Sequence, residues 1–195
     1  MFDTSLLRWS PEALPCVIRE DRIEITTRPE TDLWQRTFAD FSCDNAPVLQ
    51  TVIAEKCFVF TVKAAFEGRE RYDQCGIVVH PDSDTWLKAS IEREDDRISH
   101  LGSVVTNHGY SDWACTAVDA SEKEMWYRLT RKGSDFLLET SRDGEHFDIL
   151  RMCHMWNCGE EIPFGVYACS PGASSFTAVF SQLDMHPVDA AELAE

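Results

Sequence analysis

Short runs in which apolar and polar residues alternate recur along the chain, divided by clusters of Gly, Pro, Asp, Asn and Ser, while helical periodicity is almost absent. Side chains on a strand point to opposite faces with a period of two, so this pattern predicts an all-β sandwich or barrel. Strands are expected in "RIEITT", "KCFVFTVKAAF", "YDQCGIVVH", "TWLKASIE", "ISHLGSVVTN", "MWYRLTRK", "DFLLETS", "HFDILRM", "PFGVYAC" and "SFTAVFSQLDMH". Shorter ones are expected in "SLLRW", "LWQRTF" and "SDWACTAV". Such a number exceeds an immunoglobulin sandwich and suits two larger antiparallel sheets packed as a jelly roll. The acidic tail "PVDAAELAE", residues 187–195, reads as loose chain or a short helix. In "FLLETSRDGEHFDIL" two apolar runs flank Arg142, Asp143 and Gly144, and Asp-Gly offers the positive φ of a tight hairpin. The stretch also resembles a sialidase Asp-box, but its spacing differs by one residue before Gly144.

The run "TWLKASIE" carries the most chemistry. Leu87, Ala89 and Ile91 fall on one face, and Trp86, Lys88, Ser90 and Glu92 on the other. "YDQCGIVV" precedes it, joined by the hairpin-like "HPDSD". A register pairing Val78 with Trp86, Gly76 with Lys88, Gln74 with Ser90 and Tyr72 with Glu92 puts Cys75, Ile77, Val79, Leu87, Ala89 and Ile91 together on the core side. The other face then holds Trp86, Tyr72, Lys88, Gln74 and Glu92 around a hollow over Gly76 and Ser90. An aromatic wall with a few convergent polar groups is the usual make-up of a ligand site. A solvated outer face with a Trp–Lys surface pair is the competing reading.

A second group lies in "VVTNHGYSDWA", where Tyr110, Ser111, Asp112 and Trp113 follow the loop residues Asn107, His108 and Gly109. It reads either as a site edge or as a turn that drops Trp113 into the core. "CHMWNC" offers Cys153, His154 and Cys158, but no fourth ligand and no paired spacing, so no metal is expected. Glycoside hydrolysis ordinarily uses two carboxylates facing one site. Glu92 with Asp73 or Asp112 is the candidate set, and only Glu92 lies on the expected face.

Composition narrows the partners. Eighteen basic residues against 34 acidic ones leave a net charge of −16. That field repels nucleic acid and anionic membrane surfaces, and no basic stripe offsets it. No apolar run is long enough for a membrane span. The start "MFDTSLLRWSPEALP" has neither a basic segment nor a long apolar one, so a cytoplasmic location is expected. Without a secretory signal, the eight cysteines read as reduced, buried thiols rather than disulfides. No cofactor is expected.

In order from about Trp34 to Phe180, "TDLWQRTF", "YDQCGIVV", "TWLKASIE", "LGSVVTNHGYSDW", "WYRLTRKGSDFLLETSRDGEHF" and "PFGVYACSP" resemble the domain-of-unknown-function family thirteen forty-nine, the regulation-of-enolase-like family. The resemblance implies a concanavalin A-like jelly-roll sandwich of two antiparallel sheets in one domain, a fold shared by lectins, glucanases and accessory domains of xylosidases. Its motif positions fall on Trp34, Asp73, Gln74, Trp86, Lys88, Glu92, Thr106, Asn107, Ser111, Asp112 and Trp113, while Cys75 and Ser90 replace an expected Ala and Gly. The carboxylate motif of jelly-roll glucanases is missing. The expected ligand is therefore a small carbohydrate or sugar derivative, with Trp86 and Trp113 as stacking walls and Gln74, Lys88, Glu92, Tyr110 and Asp112 beside them. The alternatives are a glycoside-active enzyme and a protein-interaction or metabolic-regulatory scaffold, possible as a homodimer.

Overall fold

The structure, a computed structural model, describes residues 2–191; the last four positions of the expected tail lie outside the described residues. Along the described chain run β1 (Arg8–Ser10), β2 (Cys16–Ile18), β3 (Arg22–Thr26), β4 (Leu33–Gln35), β5 (Ser42–Asp44) and β6 (Val48–Ile53). They are followed by β7 (Cys57–Ala65), β8 (Gln74–Asp82), β9 (Thr85–Arg93), β10 (Ile98–Asn107) and β11 (Tyr110–Asp119). The remainder are β12 (Glu124–Lys132), β13 (Asp135–Ser141), β14 (Asp148–His154), β15 (Ile162–Cys169) and β16 (Thr177–Pro187). Every expected strand is present. β2, β5 and β6 are additional, the first two being only three residues long and too short to show a period.

Two seven-stranded sheets result, ordered β1-β6-β15-β8-β9-β10-β11 and β14-β13-β12-β7-β16-β3-β2. All their strand pairings are antiparallel. This is the jelly-roll sandwich. Strict alternation along β7 buries Phe58, Phe60, Val62 and Ala64 against Ile77, Leu87, Ala89 and Phe164 of the facing sheet. The Phe58 and Phe60 rings lie 4.7 and 5.0 Å from the ring of Phe164, distances at which aromatic pairs attract beyond their area.

Two local expectations change. Gly144 does take a positive φ of 81°, but the β13–β14 connection spans residues 142–147, longer than a tight hairpin. The Asp143 carboxylate organises it by accepting from the backbone N–H groups of Glu145 and His146, each at 2.8 Å. The β8–β9 register is two residues from the expected one: Val78 pairs with Lys88, Gly76 with Ser90 and Gln74 with Glu92. Only Ser83 and Asp84 separate the strands, so Asp82 opposes Thr85, and that register alone would pair odd positions with even ones. A bulge between Val79 and Asp82 absorbs one residue and restores parity, so the apolar set still faces the core. The faces are therefore as expected although the pairs are not.

The polar faces of β8 and β9 are not solvated. Gln74 to Val79 and Thr85 to Ile91 are all buried, on both sides of the sheet. The cover is the hairpin of β4 and β5, which crosses the outer face as an arm. Its Leu33, and Ala46 just beyond it, form a second apolar cluster with Val48, Val78, Trp86, Val104, Tyr167 and Cys169. Hydrogen bonds pin the arm at both edges. Ser111 Oγ accepts from the Gln35 N–H at 2.9 Å and bonds Thr106 Oγ1 at 2.8 Å. Asp44 bonds His80 Nε2 at 2.9 Å and accepts from the Ser83 hydroxyl. All eight cysteines are unpaired thiols; Cys75, Cys158 and Cys169 are buried, Cys115 is exposed, and the other four are intermediate, so the expectation of uniformly buried thiols is corrected.

Candidate functional site

The arm covers only part of the outer face. Beside it opens a cavity of about 700 Å³. Trp34 and the loop residues Phe38 and Phe41 form the wall on the arm side, and Trp113 of β11 and Tyr72 stand across from them. Lys88 and Glu92 of β9, with Asp32 at the foot of the arm, are the charged groups inside; Asp112 touches the rim.

The floor is a connected polar network. Lys88, 4% exposed, donates to Gln74 Oε1 at 2.9 Å and pairs with Asp32 Oδ1 at 3.6 Å. Tyr167 donates its hydroxyl to the same Gln74 oxygen at 2.9 Å. The Gln74 amide then donates to Glu92 Oε2 at 3.0 Å. The rings of Trp86 and Tyr167 lie 5.8 and 5.7 Å from Lys88 Nζ, within cation–π range. A buried ammonium needs such acceptors, since an isolated charge in a low-dielectric interior is expensive. Glu92 has a different balance. Burial pushes its carboxyl up to about 7, with Asp32 and Glu94 acting in the same direction and Lys88 and Arg71 against it. Near neutral pH this group both donates and accepts a proton readily, the property that general acid–base chemistry uses.

The expected site residues separate into two sets. Gln74, Lys88, Glu92 and Trp113 come together at or beneath the cavity. Trp113 is 45% exposed and its indole lies over Gly102, where a Cβ would sit 3.0 Å from Nε1. Trp86 is no stacking wall: it is fully buried under the arm, inside the second apolar cluster, and does not line the cavity. Tyr110 points to solvent, with the Arg36 guanidinium 5.5 Å from its ring. Asp112 pairs with Val105, whose side chain enters the core, so its carboxylate lies on the far side of β11 and bonds Arg151 at 3.1 Å. Asp73 is fully buried and occupied as an acceptor from Ser174 Oγ at 2.6 Å and from the backbone of Arg69 and Glu70. Neither aspartate presents a free carboxylate to Glu92. The expected hollow over Gly76 is likewise displaced. Gly76 is small because a Cβ there would lie 1.9 Å from the Ala89 carbonyl, and the opening sits over Ser90 and Gly102 instead.

Asp32, Phe38 and Phe41 are not among the expected contacts. Within "TDLWQRTFADF" they belong to a segment whose sequence signals, the family motif at Trp34 and the short run that becomes β4, do not single them out. Nothing in that run indicates that it folds across β8 and β9, strands distant in the chain. The loop also contains three non-glycine residues at positive φ, Arg36, Phe38 and Asp40, a conformation that side chains rarely adopt. Among the described residues no group of His, Cys, Asp and Glu is arranged to hold a metal ion, and no helix is long and apolar enough to cross a membrane.

Comparison with known proteins agrees with this architecture. The model of a family described as "Protein of unknown function (DUF1349)" matches residues 9–188. A Saccharomyces cerevisiae protein named "Regulation of enolase protein 1" is 29% identical over 163 residues, 83% of this chain and 79% of the relative. The crystal structure of a functionally unknown protein from Saccharomyces cerevisiae superposes with a TM-score of 0.88 at 25% identity, covering 97% of this chain and all of that one. A xylan beta-1,4-xylosidase from Bacillus halodurans shares the fold with a TM-score of 0.69 at 11% identity, the match covering 87% of this chain and 34% of that one.

Proposed function

This chain belongs to the DUF1349 family, and we propose that it binds a small carbohydrate or sugar-derived ligand in the cavity beside the arm. The observation that carries this reading is the pairing of a buried polar floor, Lys88–Gln74–Glu92, with aromatic walls that include Trp34 and Trp113. Sugars present an apolar ring face and a rim of hydroxyls. An indole accepts the first, and convergent donors and acceptors take the second. The cavity volume of about 700 Å³ lies within the range usual for small-molecule sites.

Titration calorimetry against a panel of mono- and oligosaccharides tests the reading. A ligand should bind the unmodified protein, and Trp113→Ala should weaken it by about tenfold or more, the scale of one lost aromatic contact. An unchanged affinity in that variant would remove the cavity from consideration. Trp86→Ala is the wrong test, because that ring lies in the second core.

A second reading, a docking surface for a protein, is favoured by the exposure of Phe38, Phe41 and Trp113 around the cavity mouth. The name of the yeast relative points in the same direction. Light scattering of the purified chain, alone and with enolase, separates the two: a stable complex lost in Phe38→Ser supports docking.

A further inference from the structure

The charged groups around the cavity pair off, with one exception. Lys88 is matched by Asp32 at 3.6 Å. At the mouth, Arg71 is matched by Glu94 through contacts of 2.7 and 3.0 Å, and its guanidinium lies 4.6 Å from the Tyr72 ring. Arg151 holds Asp112 at 3.1 Å. Arg93 pairs with Asp96, facing away. Glu92 alone has no cation within ion-pair distance among the described residues; its neighbour is the neutral amide of Gln74, bound to one carboxylate oxygen. His100, opposite Glu92 on β10, inclines to Glu94 at 3.8 Å and to the Trp113 ring at 5.8 Å.

A carboxylate largely buried with no cation in contact, only the more distant charges of Lys88 and Arg71, is a costly arrangement in a folded protein. It is relieved by taking up a proton or by a cation that arrives from outside. The walls favour the second means, since Trp34, Phe41 and Trp113 line the same cavity and an aromatic ring attracts a cation that comes over its face. The surplus of acidic residues over the whole molecule acts in the same direction, concentrating cations at its surface. Resting on the carbohydrate reading above, we propose that the ligand is an amino sugar or a related polyhydroxylated amine, its ammonium group against Glu92 and its ring between the aromatic walls. Lys88 then serves the hydroxyl side of the ligand, through the hydrogen not spent on Gln74 or Asp32.

Glucosamine, glucose and N-acetylglucosamine share one ring and differ in charge, so calorimetric titration of the intact protein with each at neutral pH isolates the amine. Glucosamine should bind about tenfold tighter than either neutral sugar, a difference of about 1.4 kcal/mol. Its binding should also release protons, seen as a dependence of the heat on the buffer's ionisation enthalpy, because the ammonium displaces the proton that burial places on Glu92. In Glu92→Gln the ratio of the affinities should fall to one. Equal affinities in the unmodified protein, or a preference for a neutral sugar, would overturn the amine assignment and leave the carbohydrate reading standing. Binding of none of the three would overturn the amine assignment, and only failure of the broader saccharide panel as well would remove the carbohydrate reading.

Discussion

Glu92 shows how one residue's environment sets its role. The same side chain on an open strand would be an ordinary surface carboxylate; beside the arm, burial raises its carboxyl to about 7. A folded-state value above the unfolded one means that the native protein holds the proton more tightly. Its stabilising contribution is full below about 4.5 and is lost as pH rises through about 7. Across that window the loss amounts to roughly 3 kcal/mol at most, since each tenfold change in proton affinity is worth about 1.4 kcal/mol. Glu92→Gln keeps the shape and removes the titration. The variant should therefore melt higher than the parent at pH 8, and the advantage should shrink as pH falls and vanish by about pH 4 in calorimetric scans. A variant that melts lower at both values would mean that the Gln74 hydrogen bond, rather than burial of charge, dominates at this position.

The arm is the element that turns a sheet face into a site, and it marks the limit of what the sequence makes legible. Alternation in "CFVFTVKAA" and "TWLKASIE" assigns inner and outer faces correctly, because burial against the opposite sheet forbids a one-residue slip. The same alternation is blind to a slip of two, which preserves both faces; the bulge after Val79 therefore has no signature. It also says nothing of what covers the outer face. Trp86 reads as a wall because it shares a face with Lys88, yet Leu33 and Ala46, remote in the chain, bury it. For the same reason Gln74, Lys88, Glu92 and Trp113 are legible as site residues, and Asp32, Phe38 and Phe41 are not. The arm's attachment is testable through Asp44, whose carboxylate links it to His80 and to Ser83 of the β8–β9 turn. Asp44→Ala removes both bonds, each worth about 1 kcal/mol or somewhat more for the charged acceptor. Amide exchange should accelerate about tenfold or more across residues 31–45, with β7, β12 and β13 unchanged. Uniform acceleration in every strand would instead make the arm part of the global core.

For the whole molecule, the surplus of sixteen negative charges opposes compaction and draws cations; salt weakens both effects, so stability and cation affinity change in opposite directions. Its ion pairs are mostly exposed: Lys56–Glu160, Arg142–Glu122 and Arg28–Glu12 all lie at the surface, where such pairs contribute about 0–1 kcal/mol each and are screened together with the repulsion. Repulsion among unmatched carboxylates is the larger quantity, because the eighteen basic residues cannot neutralise 34 acidic ones however they pair. Raising sodium chloride from about 0.01 M to about 0.15 M shortens the Debye length from about 30 Å to about 8 Å, less than the span of either sheet. The melting temperature should therefore rise by a few degrees over that range. Glucosamine affinity should fall over the same range, because screening weakens the field that concentrates the cation while leaving the aromatic walls untouched. A neutral sugar in the same cavity has no charge for that field to act on. Its affinity should stay constant, so the divergence of the two titration series with salt separates long-range attraction from contact chemistry at the floor.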